Sequence, residues 1–251
     1  TTVAPTISRI AGFVALSPFP GSWVPAKARV ALVIALGTTL GMTYPASDIP
    51  LGLGLLVPLL IEVAIGLMIA AAFRFFIAAA DIMASMISQA TWLNVPASMN
   101  PDIGQQSHVL GTGGSLLALS RAIATGVHRT VIGYLAVSFR VLPVGSEVSL
   151  RGGALPFFDL VGQSFDVGMR LALPVLAVSI AVQVALALVS RVAPSLQIFN
   201  VGFAVLVVTG LVTFMASLPS IGAGLIAWFD ALPRFIETLF EQLASPPAPV
   251  P

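Results

Sequence analysis

The residues of this chain that could do chemistry are few, and most lie inside apolar runs. Arg74 and Asp81 are seven positions apart, which puts them on one face of a helix. Glu62 stands twelve residues before Arg74, about 120° round a helix of ~3.6 residues per turn, so it must meet a different neighbour. Asp159, Gln163, Asp166 and Arg170 follow one another at spacings of four, three and four, a continuous polar stripe. Within it Asp166 and Arg170 have the favourable acid-first i,i+4 order. Asp230, Arg234, Glu237 and Glu241 share a face opposite Ile226, Phe229, Ile236, Leu239 and Phe240, the pattern of an amphipathic interfacial helix. His108 and His128 are the only histidines, and neither has the His-x-x-x-His or Glu-x-x-His spacing of a metal site. His128 follows Arg121 by seven and reads as a hydrogen-bonded interface group. There is no Ser/His/Asp arrangement and no paired-carboxylate cleft. The cluster Gly111-Thr112-Gly113-Gly114 lacks the lysine of a phosphate-binding loop and reads as a flexible or close-packed turn. We therefore expect no enzyme, no metal and no cofactor.

The elements that must carry these groups are membrane helices. Hydrophobic residues make up 57% of the 251 residues and charged residues only 8%, and the mean hydropathy is +1.02. So few charges cannot cover the surface of a soluble domain. Between Arg191 and Asp230 lie 38 residues without an Asp, Glu, Lys or Arg, nearly two bilayer crossings at about 20 residues each. A charge at membrane depth costs roughly 2.5–3.5 kcal/mol, so such groups face protein or water. Contacts with partner subunits or a wet lumen are the favoured reading for Glu62, Arg74, Asp81, Asp166 and Arg170. Internal pairing in a monomeric bundle is the plain alternative. A proton relay needs several titratable groups at matched depth, and these are isolated. The net charge of +1, with basic residues scattered singly, leaves no nucleic-acid footprint. Cysteine is absent, which removes disulfides and thiolate chemistry.

Proline and glycine punctuate the apolar runs. A short helix is expected over Ile7–Ser17, then a rigid turn from Pro18 to Pro25. The Ala26-Lys27-Ala28 step mimics a signal-peptide cleavage site, but Pro18, Pro20 and Pro25 interrupt its apolar region, so we expect a first membrane-associated helix instead. A second helix is expected over Ala28–Met42 and a third from Leu51 to Ala80 or beyond. A polar-tinged segment, Ser85–Asn100, and a small-residue loop, Asp102–Gly114, come next. One long helix should then run to about Phe139 and stop at Leu142-Pro143-Val144-Gly145. Residues 146–153 read as a hydrophilic loop, Pro156–Val192 as a long helix, Leu196–Leu218 as another, and Gly222–Leu243 as the last, with a turn at Pro219 and Gly222. The tail 245–251 is too proline-rich to fold, and 1–244 reads as a single all-α domain of long, broken helices. Triplets of alanine at 70–72 and 78–80 flank Arg74 and Asp81, a sign of close helix packing.

Several segments together resemble one family. Arg191-Val192-Ala193-Pro194, Ile198-Phe199 and Gly202-Phe203 are similar to a basic-x-Ala-Pro…Ile-Phe-x-x-Gly-Phe segment of the R component of the bacterial flagellar export gate, the FliR family. That family is related to the T component of type III secretion. Leu142-Pro143-Val144-Gly145, and the proline-bounded turn from Pro18 to Val24-Pro25-Ala26-Lys27-Ala28-Arg29-Val30, resemble two further segments of it. The chain departs in its central loop, where Asn94-Val95-Pro96 and Asn100-Pro101 stand in place of an acidic residue before proline, and in a slightly short first turn.

The resemblance implies one subunit of a hetero-oligomeric gate in the bacterial inner membrane, within the flagellar basal body. Its partners would be the P and Q components, other membrane proteins of the export apparatus, unfolded export substrates and lipid. Much of the chain would lie above the bilayer plane, shielded by those partners. In such a gate the central loop contributes to a plug, which here implies roughly Ala90–Gly114, with Asn94, Pro96, Met99, Asn100, Pro101 and Gln106 as candidates. An ordinary surface loop is the alternative for that segment. The main rival for the whole chain is a small-solute secondary transporter or permease subunit; its broken helices fit, but no internal repeat is visible. A second is an assembly-only membrane protein without a conduit.

Overall fold

The computed structural model describes residues 3–19, 24–44, 54, 56–92, 109–146, 148–192 and 198–245. Among them every regular element is helical. We number the helices α1 (Val3–Leu16), α2 (Ala26–Thr43), α3 (Leu56–Ala90), α4 (Val109–Ala124), α5 (Val127–Val141), α6 (Leu150–Val192), α7 (Ile198–Phe229) and α8 (Leu232–Ala244). Four stretches, Ala26–Thr43, Leu56–Ala90, Leu150–Val192 and Gly202–Ala244, are long and apolar enough to cross a bilayer, and α4 with α5 adds a fifth if that broken pair is one span. The expected all-α polytopic membrane protein is what the chain forms.

The boundaries differ from expectation chiefly in four places, each for a local reason. The helix expected to run unbroken to Phe139 stops at Ala124 and restarts at Val127. Gly126 sits between them at φ 78, a backbone open to glycine and strained for other residues. The expected hydrophilic loop 146–153 gives way at Leu150 to the first turn of α6. The hydroxyl of Ser149 accepts a hydrogen bond from the Gly152 N–H at 3.1 Å, which satisfies one of the orphan donors of that turn. α4 begins at Val109, inside the small-residue segment read as a loop to Gly114. Finally, α7 continues through Pro219, and the chain breaks at Asp230-Ala231 instead. Proline is tolerated inside membrane helices where neighbours satisfy the freed carbonyl.

The chain forms two compact units. The first comprises residues 1–76, 126–162 and 229–251. Its core holds Ile10, Phe13, Ile65, Ile69, Phe73 and Phe76 from α1 and α3, with Leu135 and Phe139 from α5. α8 contributes Leu232, Ile236, Leu239, Phe240 and Leu243, one complete helical face. Phe235 is packed edge-on against Phe157, with ring centroids 5.4 Å apart, and lies 6.2 Å from Phe76. The N–H of Ser149 donates to the Leu243 carbonyl at 2.9 Å, tying the start of α6 to the end of α8.

The second unit comprises residues 77–125 and 163–228. Small side chains dominate its interior: Ala79, Ala80, Ala84, Ala118, Ala122 and Ala172 are all buried. Where lipid supplies no hydrophobic drive between helices, small residues let the backbones approach and gain dispersion contacts. Gly114 of the Gly-Thr-Gly-Gly cluster packs in this way on Ala80 and Ala84. The side-chain amide of Gln183 donates to the Ala90 carbonyl at 3.0 Å and so satisfies an orphan acceptor at the end of α3. α3 itself stops at Thr91-Trp92, where Trp92 takes φ 60.

Candidate functional site

Arg9 and Glu62 form the electrostatic centre of the first unit. Arg9 is 0% exposed and Glu62 2% exposed. The Arg9 Nε donates to Glu62 Oε2 at 2.5 Å, Nη1 to the Ser138 hydroxyl at 3.1 Å, and Nη2 to the Leu142 carbonyl at 2.9 Å. Its guanidinium carbon lies 4.4 Å from the centroid of the Phe139 ring, a cation–π contact. The other oxygen of Glu62 accepts from the Gly145 N–H at 3.3 Å. A buried ion pair offsets its desolvation cost only when the remaining donors and acceptors are also met, and here each nitrogen of the guanidinium and both carboxylate oxygens are engaged.

Two glycines make this meeting possible. Gly12, one turn beyond Arg9, faces the Val63 backbone, and Gly66, one turn beyond Glu62, faces the Arg9 carbonyl and the Phe13 nitrogen. A Cβ at either position would overlap backbone, so α1 and α3 touch main chain to main chain. The pair thereby joins α1, α3, the end of α5 and the Leu142-Pro143-Val144-Gly145 turn.

Of the five residues expected to contact neighbouring subunits, Glu62 needs correction. Its carboxylate is committed inside the chain to Arg9 and Gly145. Spacing along α3 cannot name this partner, because Arg9 lies 53 positions away on α1. A detectable signal existed: each is a lone charge in an apolar run, followed one turn later by glycine.

The other four are on the surface. Arg74 and Asp81 are both exposed on α3. Asp166 and Arg170 form an ion pair of 2.9 Å on α6, with side chains 56% and 72% exposed. Asp159 and Gln163 of the same stripe are exposed too. Large apolar side chains stand out beside them, among them Phe158 at 76% exposure, Phe165 at 48% and Leu173 at 52%. Further along, Val184, Leu188 and Val192 of α6 and Val208, Val212 and Met215 of α7 are also exposed. Chain neighbours of such opposite character need a cover that offers both hydrocarbon and hydrogen-bonding partners.

The amphipathic helix expected near the C-terminus is α8. Asp230, Arg234, Glu237 and Glu241 are exposed, and Glu237 accepts a hydrogen bond from the Tyr134 hydroxyl at 2.6 Å. In the second unit, Arg121 lies against Gly222, whose missing side chain leaves room for the guanidinium. Among the described residues no group of three or more His, Cys, Asp or Glu could hold a metal ion. The plug candidates Asn94, Pro96, Met99, Asn100, Pro101 and Gln106 lie outside the described residues, as does most of the 245–251 tail.

The family model for bacterial export proteins, family 1, matches residues 1–232. The chain belongs to that family. Among curated members, the flagellar biosynthetic protein FliR of Caulobacter vibrioides is 31% identical over 210 residues, 82% of each chain. FliR of Escherichia coli K12 is 26% identical over 88% of this chain and 80% of its own, and FliR of Aquifex aeolicus 28% over 95% and 93%. Within this export-family chain, described residues of two of the three segments that carry the resemblance have structural jobs. Gly145 of Leu142–Gly145 caps the Arg9–Glu62 cluster, and Gly202 packs on Leu186 of α6.

Proposed function

We propose that this export-family chain is a subunit of the flagellar type III export apparatus in the bacterial inner membrane. There it joins the P and Q components and helps form and close the channel for unfolded flagellar proteins. Residues 1–244 act as one helical domain in that assembly. The observation that carries the reading is the Asp166–Arg170 pair. It is an ionised, exposed stripe on a helix otherwise coated with exposed Phe, Leu and Val. Lipid alone would leave those charges costly, and water alone would leave the apolar groups costly. Neighbouring subunits resolve both, and the family supplies an assembly in which they exist. Arg74 and Asp81 take the same role on α3. The segment holding Asn94, Pro96, Met99, Asn100, Pro101 and Gln106 contributes to the plug. The small-solute transporter reading is not favoured by the family membership.

The test is to stall an export substrate by fusing it to a stably folded domain, with photo-crosslinkers placed at Met99 and Gln106. Substrate-dependent adducts at these positions are expected. Adducts only at lipid-facing control positions would remove the central segment from the conduit.

A further inference from the structure

α1 and α2 lie antiparallel, and the space between them changes along their length. At one end Gly37 faces Ile7 and Gly41 faces Val3 and Thr6, so the helices close tightly. At the other end no glycine intervenes. There a groove of about 360 Å³ opens between Ala11, Val14 and Ala15 on α1 and Arg29, Val30 and Val33 on α2. Its lining is apolar except for Arg29. The Arg29 Nε donates to the Val24 carbonyl at 3.2 Å, which holds the guanidinium at the groove's end with its two terminal nitrogens unused among the described residues. Lys27 is exposed in the same turn of α2. Phe19, just beyond α1, has its ring 5.7 Å from that of His128, next to the exposed Arg129.

Depth and charge together identify the occupant. α2 is long enough to span a bilayer, and Lys27 and Arg29 lie in its first turn. Basic residues at the end of a span sit at headgroup level. The groove then runs from that level into the hydrocarbon layer. Apolar walls that end at two cations match an acyl chain beneath an anionic headgroup. We propose that it holds one acyl chain of an anionic phospholipid, whose phosphate is met by Arg29 and Lys27. This inference rests on the membrane fold and not on the export role.

Native mass spectrometry tests it on the full chain, purified with the membrane proteins that accompany it. The complex is exchanged with phosphatidylglycerol or phosphatidylcholine of matched acyl chains. Retention of phosphatidylglycerol on this subunit should exceed that of phosphatidylcholine. Arg29→Gln should reduce that preference about fivefold. Ala15→Trp, at an exposed position that fills the groove, should abolish retention of both lipids. Equal retention of the two lipids, or retention untouched by either variant, would overturn the proposal. So would a cross-link from Val30→Cys to another protein chain, because it would show the groove covered by polypeptide.

Discussion

Arg9 and Glu62, 53 positions apart in the chain, meet with Nε 2.5 Å from Oε2 in a site closed to solvent. Removing one member leaves the other charged and buried, at a cost of roughly 3–5 kcal/mol. Arg9→Ala and Glu62→Ala should each lower the level of folded chain in native membranes and its resistance to SDS unfolding. The double substitution Arg9→Leu with Glu62→Leu should recover much of that loss, because hydrocarbon of similar volume leaves no lone charge. A double variant as damaged as the sum of the singles would argue against the pair as the source of the effect.

Gly66 is set against the Arg9 carbonyl. Gly66→Ala forces α1 and α3 apart at the point where the ion pair forms, an overpacking of about 1–3 kcal/mol. The same change at Gly113, where a Cβ would meet open space, should be close to neutral. Protease resistance of the two variants in membranes separates them, and equal behaviour would contradict the close approach.

Asp166 and Arg170 predict the reverse profile. As an exposed i,i+4 pair they add about 0.3–0.5 kcal/mol at most to the chain's own helix. Asp166→Ala and Arg170→Ala should leave the abundance of the chain nearly unchanged while reducing recovery of other export-apparatus proteins with it. Pull-down yield set against membrane abundance makes the comparison. A loss of abundance without a loss of partners would place the pair's role inside the chain.

These contrasts follow how much the sequence could reveal. Periodicity reports what lies one turn away on the same helix, so the Asp166–Arg170 pair and the two faces of α8 were readable from spacing alone. It does not report which helix packs on which. Spacing separates Glu62 from the Arg74–Asp81 face, but its partner lies on α1, and only the fold brings Arg9 to it. Proline and glycine misled in both directions. Pro219 reads as a break yet is absorbed within α7, while the single Gly126, unremarkable in sequence, ends α4 by taking φ 78. The loop expected at 146–153 is hydrophilic in composition, but Ser149 supplies the cap that starts a helix there. Hydrophilic composition alone cannot distinguish a loop from a capped first turn.

The plug assignment has its own consequence. Deleting Met99–Pro101, within the proposed plug, should raise the permeability of the inner membrane to small ions when the export apparatus is assembled. Ion-leak assays in cells making the variant, compared with cells lacking the rest of the apparatus, read this out. An unchanged leak with the apparatus intact would leave that segment as a surface loop.

The central claim is that the exposed charged and apolar faces of α6 and α7 are covered by other polypeptides. The most direct measurement is native mass spectrometry of the tagged chain, extracted in mild detergent from cells expressing it at its natural level. The account predicts a hetero-oligomer with several small membrane proteins, and an aggregating chain when those are deleted. A stable, monodisperse monomer obtained without them would contradict it.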